Sequence, residues 1–207
     1  MKRIHLRTPR SGYRRAQAVV PSSDVDPCTG VAEPVVIHDY DPEWPRRFAE
    51  LRDALIVALD GLSVTVEHVG STAIPGLAAK PVIDVDVVVE SSRHLADVID
   101  RLRGLGYEHL GELGVPGREA FRTPAPESLE GQSRLRAAHH LYVVRGDGRE
   151  PARHRAFRDA LRANPAPAEE YAALKRRLAC ELGHDRAAHT EAKAAFISAT
   201  LGRVPST

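Results

Sequence analysis

The chain has 207 residues, 43% of them hydrophobic, and this length and composition suit one well-buried domain. Its 29 basic and 28 acidic residues give a net charge of +1, so no global charge points to nucleic acid or an anionic membrane as a partner. No apolar run approaches the length of a membrane span, and the two cysteines, Cys28 and Cys180, show no metal-ligand spacing. These features predict a cytoplasmic protein with reduced thiols and no membrane partner.

Residues 1–32 form a basic leader that precedes any apolar periodicity. Its first 15 residues contain no acid, and their basic side chains are Lys2, Arg3, Arg7, Arg10, Arg14 and Arg15. This composition predicts a disordered tail. A transit peptide, an upstream start codon wrongly chosen and a nucleic-acid-binding arm are the alternatives. Residues 33–203 are predicted to form a single domain, with a sheet core at 33–150 and a helical section at 151–203.

The first elements of the domain are predicted from caps and from residue spacing. A helix is expected to begin with Asp41 as N-cap and Pro42 at its first position. Apolar residues then recur at threes and fours, as in a helix that buries one face: Trp44, Phe48, Leu51, Leu55, Ala58 and Leu62. β-Branched residues predict a strand at 64–69 and a second strand that runs to Val89. The Ser91-Ser92 pair is expected to cap the next helix.

The remaining chain contains two predicted strands and is helical after residue 150. The strands are expected at 119–122 and 139–144, with a loop rich in Gly, Pro and Arg at 123–136. Helices are predicted at 152–163, 168–182 and 185–201. The sequence therefore predicts an α+β fold, in which a mixed β-sheet with packed helices is followed by a helical C-terminal section.

Asp84 and Asp86 interrupt an otherwise apolar strand, Val-Ile-Asp-Val-Asp-Val-Val-Val. Side chains two apart on a strand share one face and lie about 6.5 to 7 Å apart along it, so both carboxylates point the same way. Buried acids are costly unless they are paired or bound to a metal, and Mg²⁺ prefers carboxylate oxygens completed by phosphate and water. The pair therefore predicts a Mg²⁺ site. The structural alternative places both acids at a strand end near solvent, held by backbone amides or an arginine.

A turn before the acidic strand offers groups that bind phosphate. Gly70 allows a close backbone approach, Ser71 and Thr72 carry hydroxyls, and exposed N–H groups in such a turn attract anions. Lys80 adds a positive charge just before the strand. The turn is not a P-loop, because the Gly-x-x-x-x-Gly-Lys-Ser/Thr pattern is missing.

From Glu67 to Asp84 the chain reads Glu-His-Val-Gly-Ser-Thr-Ala-Ile-Pro-Gly-Leu-Ala-Ala-Lys-Pro-Val-Ile-Asp. This segment resembles the hallmark sequence of the GrpB family. This family is a nucleotidyltransferase-like group that is also found fused behind dephospho-CoA kinase domains. Three further segments resemble the same family, at 39–45, 157–162 and 171–175. The similarity covers about residues 33 to 201.

The resemblance implies a nucleotidyltransferase-like fold. In that superfamily the Ser of the Gly-Ser turn helps to hold a nucleoside triphosphate tail, and the Asp-x-Asp pair binds magnesium. Matched position by position, these roles fall on Gly70, Ser71, Asp84 and Asp86. By analogy with two-part nucleotidyltransferases, the helical section would form the opposite wall of the substrate cleft. The implied partner is a nucleotide or another phosphorylated metabolite, with Mg²⁺ as cofactor.

The resemblance also shows one departure from active nucleotidyltransferases. These enzymes usually have a third carboxylate on a later strand, and the strand predicted at 139–144 contains no acid. The GrpB family tends to have His-Leu-His there, where this chain has His140-Leu141-Tyr142. His140 shares a strand face with Tyr142, whereas His139 points the other way. Because a histidine can accept a proton or bind a metal near neutral pH, His140 joins the two aspartates as a candidate catalytic residue, and whether it replaces the missing acid is open.

Other charged residues near these segments are candidates for the same site. Four basic residues could neutralise phosphates: Arg122, Arg158, Lys175 and Lys193. Glu67 and His68 lie on alternating sides of their strand, so at most one of them faces the site. His68 is either a structural histidine or a residue that positions Ser71 or a phosphate.

Two functions of different class follow. In the first, an acceptor hydroxyl or amine attacks the α-phosphate of a bound nucleoside triphosphate in a Mg²⁺-dependent nucleotidyl transfer. In the second, the same site binds a nucleotide or phosphorylated metabolite without turnover, as an accessory domain related to coenzyme A biosynthesis. The missing third acid favours the second function.

Overall fold

The computed structural model describes residues 36–124, 133–182 and 186–202. The leader predicted at 1–32 lies outside the described residues, and so do positions 125–132 of the predicted loop. The described residues form a mixed sheet with helices packed on both of its faces, which confirms the predicted α+β class.

Five strands form one sheet in the order β1-β2-β5-β4-β3. The strands are β1, Val64–Val69; β2, Ile83–Val89; β3, Glu108–Gly111; β4, Arg118–Arg122; and β5, His139–Arg145. Strands β2 and β5 run parallel, and the other neighbours are antiparallel. The acidic strand β2 therefore lies between β1 and β5, with both of its backbone edges paired.

The helices carry most of the remaining described residues. They are α1, Trp44–Ala58; α2, Leu95–Gly104; α3, Arg149–Ala163; α4, Pro165–Leu182; and α5, Arg186–Leu201. In the part of the chain that the structure describes, none of them is long and apolar enough to cross a membrane.

The main core lies between one face of the sheet and helices α1 and α2. Val85 and Val87 of β2 are fully buried there against Leu51 of α1 and Leu102 of α2. Because side chains alternate along a strand, Asp84 and Asp86, which alternate with these valines, are directed to the opposite face. The apolar alternation of β2 thus fixes the side on which the acids lie.

A second apolar cluster joins the loop after the Gly-Ser turn to the helical section. Its buried members are Ile74, Leu77, Ala78, Phe157, Leu161, Tyr171 and Ala172. They come from the loop, from α3 and from α4, so the helical section packs directly behind the turn.

Some boundaries differ from those that the sequence predicts. Helix α1 begins at Trp44 rather than at Pro42, because Asp41 Oδ1 accepts the N–H of Glu43 at 2.9 Å and the backbone turns before the helix. Strand β3 was not predicted, since its four residues, Glu-His-Leu-Gly, lack β-branched side chains and pair only with β4 at the sheet edge. A short 3-10 helix, Ser92–His94, precedes α2.

Candidate functional site

Asp84 and Asp86 lie on the same face of β2, on the side turned away from α1 and α2. The register places Asp84 opposite His140 of β5, and Asp86 opposite both Glu67 of β1 and Tyr142 of β5. The Asp84 side chain is 32% exposed and that of Asp86 is 1% exposed. The Asp84 carboxylate is therefore partly exposed, and that of Asp86 is buried.

Gly70 packs directly against Asp84. A Cβ atom built on Gly70 would collide with the Asp84 carboxylate oxygen Oδ2, and the backbone there has φ of 69°, which disfavours any other residue. The turn and the carboxylates, which the sequence predicts to act together, are thus in contact.

Ser71 and Thr72 begin a short 3-10 helix, Ser71–Ala73, directly after Gly70. Thr72 is buried, and its Oγ1 lies 3.0 Å from Nε2 of His68. The His68 ring in turn stacks on Phe48 of α1, and burial lowers its pKa to about 4. His68 and Thr72 therefore pack on the side of α1, whereas the Ser71 side chain forms a hydrogen bond with Tyr171 of α4. Contact of Ser71 or Thr72 with a phosphate stays a prediction.

His140 contacts Asp84, as its predicted strand face requires. Its Nδ1 lies 2.9 Å from Oδ1 of Asp84. Burial raises the pKa of Asp84, but the hydrogen bond and charge of His140, together with Lys193 and His154, outweigh burial and hold that pKa below its ordinary value. Asp84 is accordingly an ionised carboxylate at neutral pH.

His154 of α3 holds the second carboxylate, a role that no local sequence signal predicts. Its Nδ1 lies 2.6 Å from Oδ2 of Asp86, and its Nε2 lies 3.5 Å from Glu150. Burial raises the pKa of Asp86 above its ordinary value against the opposing effect of His154. Burial lowers the pKa of His154, but Asp86 and Glu150 raise it by more. The other oxygen of Asp86, Oδ1, is buried and has no hydrogen-bond partner among the described residues.

Glu67 is a third carboxylate on this face of the sheet. It lies on β1 directly opposite Asp86. Arg155 Nη1 lies 2.9 Å from its Oε1 and Arg158 Nη1 lies 3.5 Å from its Oε2. Of the pair Glu67 and His68, Glu67 is thus the one on the acidic face, where two arginines of α3 neutralise it.

Lys175 of α4 is buried behind the turn. Its Nζ donates a hydrogen bond to the carbonyl of Ala78 and lies 4.6 Å from the ring centroid of Tyr171. Burial lowers the pKa of Lys175 to about 7, with a smaller effect in the same direction from Lys193. Its ammonium group therefore supports the loop after the turn, and direct contact with a phosphate stays a prediction.

Two further predicted phosphate ligands, Arg122 and Lys80, lie on other elements. Arg122 is on β4, separated from β2 by β5, and its Nη1 bonds Glu108 of the edge strand. Lys80 is half-buried in the segment that leads into β2, next to the bridge between His38 and Ala79. Their contact with a ligand also stays a prediction.

A cavity of about 710 Å³ lies behind the turn rather than at the acids. It is lined by residues 75–78, α3 and α4, with Leu77 and Leu161 among its apolar groups and Arg162 and Arg176 among its charged ones. Its volume is in the range of small-molecule sites. We nevertheless place the candidate site at the acids, because the paired carboxylates and the glycine contact carry specific chemistry.

The donor set of the acidic face fits one hard cation in part. Among the described residues, no group of three or more His, Cys, Asp or Glu side chains is arranged to hold a metal ion. Mg²⁺ commonly takes only one or two protein carboxylates, and ligand phosphates and water complete its coordination. Asp84 and Asp86 meet that requirement, and the unpartnered Oδ1 of Asp86 is a buried acceptor that a cation would satisfy.

Comparisons with known proteins find similarity to GrpB proteins over nearly the whole domain predicted at 33–203. The family model described as GrpB protein matches residues 34–203. The glutamate-rich protein GrpB of Alkalihalophilus pseudofirmus is 32% identical over 171 residues, which cover 82% of this chain and 95% of that protein. The crystal structure of conserved protein GrpB from Enterococcus faecalis matches with a TM-score of 0.67 and 35% identity, covering 81% of this chain and 95% of that chain.

Some relatives are longer than the matched region. A dephospho-CoA kinase of Mycolicibacterium paratuberculosis is 39% identical over 83 residues, which are 39% of this chain and 20% of that kinase. The chain spans 39% of the length of one further curated relative and 64% of another.

Proposed function

The chain belongs to the GrpB family, and on that premise we propose that its acidic face binds a nucleoside triphosphate with Mg²⁺ and transfers the nucleotidyl group to an acceptor. The contact between Gly70 and the Asp84 carboxylate supports this proposal above all. It brings an anion-binding turn and a pair of hard oxygen ligands to one place, as a metal-bound phosphate requires. A cytoplasmic location is part of the same proposal.

The roles of the side chains follow from their positions. Asp84 and Asp86 would hold the cation, which would neutralise phosphate charge when bound. Ser71 and the N–H groups of its turn would bind phosphate oxygens. His140 orients Asp84 at 2.9 Å, and His154 orients Asp86 at 2.6 Å.

The proposed transfer has a simple balance. An oxygen or nitrogen of the acceptor forms a bond to the α-phosphorus, and the bond from the α-phosphorus to the oxygen that bridges the β-phosphate breaks. Pyrophosphate leaves, and the proton of the acceptor passes to water. Charge neutralisation and in-line placement of the reacting atoms are the main contributions of such a site.

Calorimetric titration with each of the four common nucleoside triphosphates and Mg²⁺ tests binding, and an assay for released pyrophosphate tests transfer. The double variant Asp84→Asn with Asp86→Asn should abolish Mg²⁺-dependent binding and keep a cooperative unfolding transition. Asp97→Asn is a matched control, because Asp97 is an exposed acid on α2, on the other side of the sheet. Equal affinity in the wild type and the double variant would refute the proposal.

Binding without turnover is the second candidate function, and strand β5 favours it. At the positions opposite Asp84 and Asp86, β5 carries His140 and Tyr142 rather than a carboxylate. The similarity to a dephospho-CoA kinase adds phosphorylated metabolites of coenzyme A biosynthesis as candidate ligands. Tight Mg²⁺-dependent binding without pyrophosphate release, in the presence of varied hydroxyl and amine acceptors, would support this function over transfer.

A further inference from the structure

One row of side chains on α3 contacts both Asp86 and the two ends of the Gly-Ser turn. His154, Arg158 and Arg162 recur at intervals of four residues, so they lie along the same helix face. His154 bonds a carboxylate of β2, whereas the two arginines bond backbone carbonyls at either end of the Gly-Ser turn.

The two arginines hold carbonyl groups on opposite sides of the turn. Arg158 Nη1 donates to the carbonyl of His68 at 3.0 Å, just before the turn. Arg162 donates twice to the carbonyl of Ala73, just after it, from Nε at 3.0 Å and from Nη2 at 2.6 Å. Residues 69–72 are thus bracketed by charge-assisted hydrogen bonds from one rigid helix.

The hydrogen bond to Ala73 also constrains the middle of the turn. A peptide unit is planar, so fixing the Ala73 carbonyl fixes the N–H of Ile74 in the opposite direction. That N–H donates to the carbonyl of Ser71 at 3.2 Å. The same argument then fixes the N–H of Thr72, which shares a peptide unit with the Ser71 carbonyl. Arg162 therefore determines, through two planar peptide units, the direction of the N–H of Thr72.

We propose that Arg158 and Arg162 are positioning residues that hold the Gly-Ser turn in the conformation that binds phosphate. This inference rests on the proposed function for its ligand, and on the structure alone for its effect on the turn. Arg158 is 15% exposed, and its Nε also bonds Asp159 at 2.8 Å. Its donors are thus used within the protein, so it acts on a ligand through the backbone rather than as a phosphate ligand.

The experiment compares Arg158→Gln and Arg162→Gln with Arg155→Gln. Arg155 is the matched control, because it lies on the same helix and pairs with Glu67 rather than with a carbonyl of the turn. Hydrogen exchange of residues 69–74 reports the turn without any ligand, and calorimetry with Mg²⁺ and each of the four common triphosphates reports binding. The midpoint of thermal unfolding shows whether a variant is generally destabilised.

Arg158→Gln and Arg162→Gln should each speed exchange in residues 69–74 and weaken triphosphate binding by roughly tenfold, because each removes the charge-assisted hydrogen bonding that holds one end of the turn. Arg155→Gln should leave the exchange of residues 69–74 at the wild-type rate, because Arg155 pairs with Glu67 and not with a carbonyl of the turn. Exchange in the turn that stays at the wild-type rate in both variants would overturn the inference, and so would acceleration that is uniform over the whole chain. If Arg158→Gln does not fold, Arg162→Gln decides alone, because the Arg162 side chain is 43% exposed and easier to replace.

The two readouts separate this inference from the proposed function. If the wild type binds no triphosphate, the proposed function fails, while faster exchange in residues 69–74 still supports the role of the arginines in holding the turn. If the wild type binds and neither variant loses affinity, the proposed function stands and the inference fails.

Discussion

The Nδ1 atom of His154 on α3 lies 2.6 Å from Oδ2 of Asp86 on β2, although the two residues are 68 positions apart in the chain. The Asp86 side chain is 1% exposed, and its other oxygen has no partner among the described residues. The imidazole therefore provides the hydrogen bond that makes this buried carboxylate tolerable, and it ties the helical section to the sheet.

Removing the imidazole should destabilise the fold. His154→Ala leaves a buried carboxylate near Asp84 and Glu67 without its partner, and we expect the free energy of unfolding to fall by about 3 kcal/mol. Urea denaturation at neutral pH measures this change. Glu150→Gln is the control, because it alters only the longer contact of 3.5 Å on the outer side of the ring, and it should cost less than about 1 kcal/mol. Equal losses in both variants would show that the contact with Asp86 has no special weight.

A methyl group on Gly70 should be far more costly than one on Gly76. Both glycines have positive φ, 69° and 77°, so alanine at either position pays a backbone strain of about 1 to 2 kcal/mol. Only Gly70 lies against the Asp84 carboxylate, whereas a Cβ on Gly76 meets nothing within 4 Å. Gly70→Ala should therefore lower the free energy of unfolding by clearly more than Gly76→Ala in parallel urea melts.

The Gly70 prediction has an internal check. If the extra cost arises from the Asp84 side chain, it should shrink when Gly70→Ala is made in an Asp84→Gly background, since every side-chain atom that collides with the new Cβ is then gone. A double-mutant cycle measures this coupling. A coupling free energy near zero would mean that the glycine is needed for the backbone conformation alone.

The carboxylate face was predictable from sequence because its signals are local. Alternation along β2 sets Asp84 and Asp86 on one face, and β-branched residues define β1, β2 and β5. His154 was missed because its partner is distant in sequence and nothing in an arginine-rich helix marks one polar residue as buried. The roles of Arg158 and Arg162 were missed for a related reason. Their acceptors are backbone carbonyls, which every residue has, so the sequence carries no signal for these hydrogen bonds.

Lys175 illustrates a different limit. Its charge makes it a candidate phosphate ligand, and that contact stays a prediction, while in the structure its amine packs over Tyr171 and bonds the carbonyl of Ala78. Sequence spacing places a lysine on a helix face and does not determine whether that face meets a ligand or a loop. In contrast, His139 was expected on the opposite strand face from His140, and the structure places it there, bonded to Tyr107.

His139 makes the fold sensitive to acid. Its Nδ1 lies 2.6 Å from the carbonyl of Ala137 and its Nε2 lies 2.7 Å from the hydroxyl of Tyr107, which suits a neutral ring that donates to the first and accepts from the second. Burial lowers the pKa of His139 from its ordinary value of 6.5 to about 4. Between these pH values the unfolded chain binds more protons at His139 than the folded chain does. The contribution of the neutral His139 ring to stability is therefore full above pH 6.5 and is lost as the pH falls towards 4. The expected loss is about 3 kcal/mol. His139→Gln should flatten the dependence of the free energy of unfolding on pH by that amount, measured by urea denaturation across this window. A slope in His139→Gln equal to that of the wild type would show that another group causes the acid sensitivity.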